Sequence, residues 1–470
     1  MGRRVVVAFC ACLLALAAAG RASAYSRHDL ALTMDDNVQL AATLYEPDTP
    51  PPPGGYPAIV LFHGIGGSRL DLDAVAARFV MNFAVLSFDA RGHGASGGFA
   101  SIDGPREIAD TREVFNQLGA RPEINRQEIG AWGISMGGGA VLRSLVEGVP
   151  WAAVETVETW TDLYTSLAPQ NLSKSGAIYQ FLSSVPADRL DPAVAAIETD
   201  AIASTNLAVM RQFAGARSSR SLLSQVHTPV LFFQGRRDFA FDIEQATTGY
   251  RLVKGPKQLY IGDFGHSPST FPGPDFNAMM GVGQSWFIRW LMHPPIPRYP
   301  PILVAPDPWR GKTRAFTSLP ATRAVRFGFG GSNTLTGIGK ATRTSGRRLA
   351  TQLETFGSAR VHVPVKLSGG WERLVAVLTA RTPKHKVIVV SEGGVNTMRL
   401  VGKRALTIKL ISDATLIPRG SKLTLTLATS SLAQNPANLL YLNLPQPPGA
   451  KVTLGPVRLD LPVLRKPVSR

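Results

Sequence analysis

The first half of the chain alternates between short apolar runs and stretches whose apolar residues have helical spacing. An almost wholly apolar run is typical of a strand that is buried on both faces of a parallel sheet. The pattern therefore predicts a mostly parallel sheet with helices on both faces, preceded by a β-hairpin at 28–43. The predicted strands are 58–62, 84–88, 152–157, 229–235 and 257–261, the last of which is expected to close the sheet, and the predicted helices include 70–82, 107–118 and 275–292.

Two segments break this alternation. Residues 158–224 are compatible with helix throughout and are rich in alanine, serine and leucine, which indicates a helical cap inserted over the sheet. Seven prolines between His293 and Pro308 indicate a linker. We therefore expect a catalytic α/β domain at 25–293, with its cap at about 158–224, followed by a proline-rich linker at 294–321.

From Thr322 the pattern changes to short alternating runs separated by glycine, serine and proline. Such runs are typical of an all-β sandwich or jelly roll, so residues 322–470 are predicted to form a second domain without a catalytic role. The runs lie at 325–329, 361–367, 374–378, 387–390, 406–410, 423–427 and 439–444.

The N-terminus has the features of an export signal. Arg3 and Arg4 precede an apolar run from Val5 to Ala19, which is shorter than the ~20 residues that a membrane-spanning helix needs, and Ala22-Ser23-Ala24 has the small residues of a cleavage site. Residues 1–24 are thus predicted to be a cleaved signal peptide, which implies a secreted or cell-envelope protein. Both cysteines lie in this segment, so disulfides and thiolate chemistry are not expected in the mature chain, and no later stretch is predicted to span a bilayer.

The positive charge is concentrated in the C-terminal part. Residues 295–470 contain 27 Lys and Arg against 6 Asp and Glu, whereas residues 1–294 contain 23 against 27. A basic domain is compatible with binding to an anionic cell-envelope polymer or to nucleic acid. The charges are scattered singly without interleaved aromatic residues, which favours a solvated basic surface and disfavours nucleic acid.

The segment Gly133-Ile134-Ser135-Met136-Gly137 lies between a predicted strand and a predicted helix. A G-x-S-x-G sequence in this position is typical of a sharp turn that presents a nucleophilic serine above the sheet. The N–H group of Met136 is then expected to face the oxyanion that Ser135 creates. The glycine-rich turn 63–67 follows the first apolar strand, and Ile65 is the expected source of a second N–H donor.

A general base and an acid are needed to activate Ser135, and both can be found after later strands. His266 follows the strand at 257–261 and is the expected base, while Asp238 follows the strand at 229–235 and is the expected acid. The alternatives for these roles are His93 as the base and Asp242 or Asp263 as the acid.

Other chemistry finds little support in the sequence. No H-x-x-x-H motif, carboxylate pair with ligand spacing or G-x-x-x-x-G-K segment is present, so neither a metal nor another cofactor is expected. Trp160 and Tyr164 in the cap are candidates for lining a substrate pocket, although core packing is the simpler interpretation for each.

The chain resembles the X-Pro dipeptidyl-peptidase and cocaine-esterase family of serine hydrolases, which have the α/β-hydrolase fold. The resemblance rests on DARGHGASG (89–97), GAWGISMGGG (130–139), WTDLY (160–164) and GDFGH (262–266), together with LIPRGSKL (416–423) in the β domain. It implies hydrolysis of an ester, or of the peptide bond after an X-Pro unit, through an acyl-enzyme. It also carries over Ser135, Asp238 and His266 as the catalytic triad.

Two departures from the family qualify this expectation. Some members place a tyrosine hydroxyl in the oxyanion hole, but the loop here is His63-Gly64-Ile65-Gly66-Gly67, so only backbone donors are expected. An X-Pro peptidase must also hold the free amine of its substrate, for which Glu155 and Glu158 are the candidates. The hypothesis is an exported serine hydrolase that acts on a small ester or peptide; the alternative is a weakly active or inactive protein that binds the envelope through its basic domain.

Overall fold

The computed structural model describes residues 25–297, 299–431 and 440–465. The predicted signal peptide at 1–24 lies outside the described residues. The described part of the chain forms one large sheet covered by helices, followed by three smaller sheets, so the predicted architecture is confirmed. Among these residues, no helix combines the length and the apolar composition that crossing a membrane requires.

The large sheet has ten strands, and its N-terminal hairpin is formed as predicted. In chain order the strands are β1 (Tyr25–Thr33), β2 (Gln39–Pro47), β3 (Tyr56–Phe62), β4 (Ala84–Phe88), β5 (Ile124–Ile134), β6 (Val154–Val157), β7 (Val230–Gly235), β8 (Lys257–Gly262), β9 (Ile302–Val304) and β10 (Arg314–Phe316). Their order across the sheet is β1-β2-β4-β3-β5-β6-β7-β8-β9-β10. The strands from β4 to β9 in this order are parallel, and the outer pairs are antiparallel.

Helices cover both faces of the sheet and the C-terminal ends of its strands. They are α1 (Asp73–Phe79), α2 (Pro105–Gly119), α3 (Met136–Val146), α4 (Leu163–Leu167), α5 (Ser175–Ser183), α6 (Pro192–Ala203), α7 (Leu207–Gly215), α8 (Ile243–Leu252) and α9 (Phe276–Met292). Helices α2, α3 and α8 pack in one apolar core with one face of the sheet, and α1 and α9 pack against the other. Helices α4 to α7 lie in the segment where the cap was expected, and their apolar side chains form separate clusters beside the serine turn.

The prediction that 257–261 closes the sheet was wrong, because β9 and β10 extend it within the proline-rich segment. Ile302, Leu303 and Val304 pair with the edge of β8 and are buried. This triplet is apolar and contains no proline, so its N–H groups can join the ladder although prolines flank it on both sides.

The C-terminal part, called the β region below, comprises residues 322–465. Its strands are β11 (Thr322–Phe329), β12 (Asn333–Thr336), β13 (Lys340–Thr344), β14 (Leu353–Glu354), β15 (Gly357–Ser368), β16 (Arg373–Arg381), β17 (Val387–Asn396), β18 (Gly402–Asp413), β19 (Leu416–Ile417), β20 (Lys422–Ala428), β21 (Lys451–Leu454) and β22 (Val457–Leu464). One sheet has six strands in the order β11-β22-β15-β21-β12, with β18 paired to β15, and a second sheet has four strands in the order β13-β20-β16-β17. The two sheets share one apolar core, and β14 pairs with β19 in a separate two-stranded sheet. Alternating side chains of both sheets fill this core, as in a sandwich.

One predicted strand of the β region is not formed. A strand was predicted at 439–444, but residues 440–444 have irregular backbone. Leu439 lies outside the described residues. The backbone groups of 440–444 bond partly to Ser431, which follows β20, and partly to the cap. Gly176 N–H donates to the Leu440 carbonyl at 3.0 Å, and Leu442 N–H donates to the Ser175 hydroxyl at 2.9 Å.

Candidate active site

Ser135 occupies a strained turn between β5 and α3. Its backbone angles, φ 55° and ψ −119°, lie in a region that non-glycine residues rarely adopt. The flanking glycines are required by space, since a Cβ at Gly133 would lie 2.2 Å from the Gly137 carbonyl oxygen, and one at Gly137 would lie 2.3 Å from that of Phe62. A hydrogen bond from the Ser135 N–H to the Val157 carbonyl, 2.8 Å, fixes the turn to β6.

The side chains of Ser135, His266 and Asp238 form one chain of hydrogen bonds. The Ser135 hydroxyl lies 3.0 Å from His266 Nε2, and His266 Nδ1 lies 2.7 Å from Asp238 Oδ2. The three residues follow β5, β8 and β7, whose C-terminal ends meet at one edge of the parallel sheet. The structure thus brings together the three residues that the sequence singles out for acyl transfer.

Asp238 is held by further donors. Its Oδ1 atom accepts the N–H groups of Ala240 and Phe241, each at 2.9 Å. Of the alternatives for the acid, Asp242 caps α8 through Glu244 N–H, and Asp263 accepts the N–H group of Trp309 at 3.1 Å. Neither alternative carboxylate has a hydrogen bond to an imidazole in the described structure.

The alternative base, His93, lies in a buried loop away from Ser135. Its Nδ1 atom contacts the Arg91 carbonyl at 3.0 Å, and burial lowers its pKa to about 4. His63 is also buried, and it bridges the Gly64 carbonyl and the Ala90 N–H. Burial lowers the pKa of His63 as well. Both histidines therefore order the loops around the site as neutral side chains.

Glu158 is a second carboxyl group beside His266, and sequence reasoning did not anticipate this position. Its Oε2 atom lies 3.6 Å from His266 Nδ1, its side chain is 2% exposed, and its φ is 51°. Oε1 has no hydrogen-bond partner among the described residues. Burial raises the pKa of Glu158, which favours the protonated, neutral carboxyl.

The pKa of His266 reflects opposing influences. Burial alone would lower it, but the charge of Asp238, its hydrogen bond and the charge of Glu158 together raise it above the ordinary value of 6.5. Glu158, Asp238 and His266 also offer potential metal-ligand atoms within 4.8 Å of one another. A cation at His266 Nδ1 would have to displace the 2.7 Å hydrogen bond to Asp238, so the geometry fits proton transfer better than metal binding.

The two expected oxyanion donors lie beside Ser135. Met136 begins α3, and Ile65 lies in the turn after β3; both line the same cavity as Ser135. In the described part of the chain neither N–H group donates a hydrogen bond to the protein. Unpaired N–H groups at the start of a helix and in a glycine-rich turn suit the binding of a negatively charged oxygen.

A cavity of about 100 Å³ opens on Ser135 between the sheet and the cap. Trp160 and Tyr164, the two pocket candidates from the sequence, both line it. Phe181 and Phe241 place their ring edges against His266, with ring centroids 5.7 and 5.2 Å from the imidazole. The remaining lining residues are mostly aliphatic or aromatic and come from α4, α5, α6 and α7 as well as from the loops of the sheet.

The loop that carries Asp238 is fixed by the cap and by the β region. The buried Lys174 ammonium donates to the carbonyls of Phe239 and Ala240 at 2.7 and 2.8 Å. The fully buried Arg236 donates to the Ala414 carbonyl at 2.7 Å and to the Glu354 carboxylate at 2.8 Å. The position of Asp238 thus depends on contacts from outside the ten-stranded sheet.

Fold and site together define an α/β-hydrolase, with a serine turn after a central parallel strand and a histidine and an acid after later strands. The sequence model for X-Pro dipeptidyl-peptidase (S15 family) matches residues 36–268. Over these residues the chain is similar to the X-Pro dipeptidyl-peptidase (S15) family of hydrolases, as the motifs predicted.

Solved structures with a similar fold extend the likeness to nearly the whole chain. A CocE/NonD family hydrolase from Staphylococcus aureus has a TM-score of 0.70 at 12% identity and covers 94% of both chains. An alpha-amino acid ester hydrolase has a TM-score of 0.70 at 14% identity, covering 95% of this chain and 98% of its own. These similarities establish the fold, including the β region.

Curated relatives match only parts of the chain. Quorum-quenching protein AidA of Acinetobacter baumannii (strain MDR-ZJ06) is 33% identical over 140 residues, which are 29% of this chain and 45% of AidA. An uncharacterized 31.7 kDa protein from the traX-finO intergenic region of Escherichia coli is 36% identical over 95 residues, 20% of this chain and 33% of its own. The chain therefore spans less than half the length of these relatives.

Proposed function

We propose that the protein is an exported serine hydrolase that cleaves an ester or a short X-Pro-type peptide through an acyl-enzyme on Ser135. The observation that carries the proposal is the unbroken hydrogen-bond chain from Ser135 through His266 to Asp238 at the base of a cavity. The extracytoplasmic location rests on the N-terminal sequence alone.

The proposed mechanism assigns one task to each group. His266 Nε2 accepts the Ser135 proton as the hydroxyl attacks the carbonyl carbon, and then donates it to the leaving group. Asp238 holds the Nδ1–H tautomer and stabilises the imidazolium. The N–H groups of Met136 and Ile65 stabilise the tetrahedral oxyanion, and water then releases the acyl group by the same route.

The test is replacement of the nucleophile. Ser135→Ala is expected to lower kcat on p-nitrophenyl esters and X-Pro chromogenic substrates by about 10⁴-fold or more and to abolish labelling by a fluorophosphonate probe. Ser285→Ala, on α9 and outside the cavity, is the matched control and should retain both. Undiminished turnover in Ser135→Ala would refute the proposed nucleophile.

A further inference from the structure

The cavity beside Ser135 has a consistently apolar wall. From the sheet side it receives Ile65 and Phe241, and from the cap it receives Phe181, Met210 and Phe213. The wall therefore offers extensive apolar contact to a group attached to the carbonyl that Ser135 attacks.

The polar atoms of the lining residues are mostly bonded to other parts of the protein. Trp160 Nε1–H donates to the Arg217 carbonyl at 2.8 Å, and the Tyr164 hydroxyl donates to Asn171 Oδ1 at 2.9 Å. Neither group is left unpaired when an apolar ligand fills the cavity. The ligand therefore binds without the free-energy cost of burying a donor that has no hydrogen-bond partner.

The acidic groups expected to hold a substrate amine do not line this cavity. The Glu155 carboxyl faces α9, where a Cβ on Gly283 would lie 2.6 Å from its Oε2. The Glu158 carboxyl faces Nδ1 of His266, on the side of the imidazole opposite to Ser135. Among the residues that the structure describes, the one acidic residue lining the cavity is Glu198 on α6, which is half-buried and whose charge water can therefore screen.

We propose that this cavity is an acyl site for uncharged, apolar acyl groups of medium length, and that substrates with a free α-ammonium are rejected. The proposal rests on the proposed function and narrows its substrate class from ester or X-Pro peptide to apolar carboxylic esters. A buried ammonium would lose its hydration in the cavity without gaining a buried carboxylate, whereas a hydrocarbon chain gains from leaving water.

A pair of substrates with the same carbon skeleton tests the rejection of charge. p-Nitrophenyl hexanoate and norleucine p-nitrophenyl ester differ only by the α-ammonium group, and each enzymatic rate is divided by the hydroxide-catalysed rate. We expect kcat/KM for hexanoate to be about 100-fold higher or more, and an alanyl-prolyl anilide to be turned over more slowly still. A preference for the norleucine ester that Glu198→Gln removes would overturn the proposal and assign amine binding to that residue.

Two alanines of α6 test whether the acyl chain occupies this cavity. Ala201 lines the cavity, whereas Ala195 on the same helix is exposed. Ala201→Phe should lower the ratio of hexanoate to acetate turnover by about tenfold or more, and Ala195→Phe should leave the ratio unchanged. A cooperative thermal unfolding transition shows that each variant is folded. An unchanged ratio in Ala201→Phe would overturn the assignment of the cavity. If Ser135→Ala still hydrolysed hexanoate, the proposed function itself would fail, so the two failures are distinguishable.

Discussion

Replacement of Glu158 by glutamine tests how the second carboxyl group acts on the base. Glutamine has nearly the same shape as the protonated glutamic acid but cannot become negatively charged. The base form of His266 is the active form, and a negative charge at Glu158 stabilises the imidazolium form instead. Removing that charge should lower the pKa of His266, so that activity extends to lower pH.

The distance between the groups sets the size of the effect. Unit charges 3.6 Å apart, as are His266 Nδ1 and Glu158 Oε2, interact by about 4.6 kcal/mol at an effective dielectric constant of about 20, equivalent to about three pH units. Burial keeps Glu158 largely protonated, so only part of this interaction is felt while His266 titrates. We expect the acid limb of kcat/KM to move down by about one pH unit in Glu158→Gln.

The other charged groups that face His266 are unchanged in this variant. The Asp238 carboxylate raises its pKa, and the Lys174 ammonium of the cap lowers it. The wild-type acid limb is therefore expected above the ordinary histidine value of about 6.5, because the carboxylates prevail over burial and Lys174. Any shift between wild type and Glu158→Gln then reports Glu158 alone.

The assay is kcat/KM for an uncharged p-nitrophenyl ester between pH 5 and 10, corrected for spontaneous hydrolysis. Glu155→Gln is the matched control. Glu155 is also a buried glutamate on β6 whose pKa is raised by burial, but among the described residues it makes no hydrogen bond or ion pair with His266. Its profile should overlay that of the wild type. The reasoning is refuted if the pH profile of Glu158→Gln coincides with that of the wild type, or if the acid limb of Glu158→Gln moves to higher pH.

Three further predictions follow from the geometry. Asp238→Asn should lower kcat by about 10⁴-fold while Asp242→Asn changes it less than about twofold, and equal losses in initial-rate assays would contradict the assignment of the acid. Gly137→Ala should lower the free energy of unfolding in urea by about 3 kcal/mol because its Cβ meets backbone, whereas Gly281→Ala in open space on α9 should raise it by about 1 kcal/mol. Arg236→Met should lower that free energy by about 3 kcal/mol and also lower kcat, and an unaltered kcat would show that the Asp238 loop keeps its position without this side chain.

The sequence predicts the sheet well where the pattern is strong and local. The mostly apolar runs before Ser135, Asp238 and His266 mark buried strands, and the topology of a parallel sheet then places the three residues at one edge. Ser135 is further marked by its flanking glycines, because the turn has no space for a Cβ at either position. Local pattern and long-range topology thus agree at the residues proposed for chemistry.

Other features depend on contacts that no local pattern contains. The triplet at 302–304 becomes a strand only because β8 offers a free edge, and proline-rich surroundings conceal it. The segment 440–444 has the composition of a strand but bonds to the cap. Glu158 lies 108 residues before His266 in the sequence, and only the meeting of β6 with the later loops brings the two side chains together.

The anchoring of the Asp238 loop has a consequence for how such proteins diverge. Arg237 donates to the Val389 carbonyl at 2.8 Å, and Ser412 N–H donates to Asp242 at 2.9 Å. The loop is therefore held against the surface of the β region by hydrogen bonds. Neither half of the chain can then be exchanged for a distant counterpart without disturbing the acid. Mutations in the β region can then change the turnover rate by shifting Asp238, although they do not contact the substrate. Selection can therefore alter the same reaction from either part of the chain.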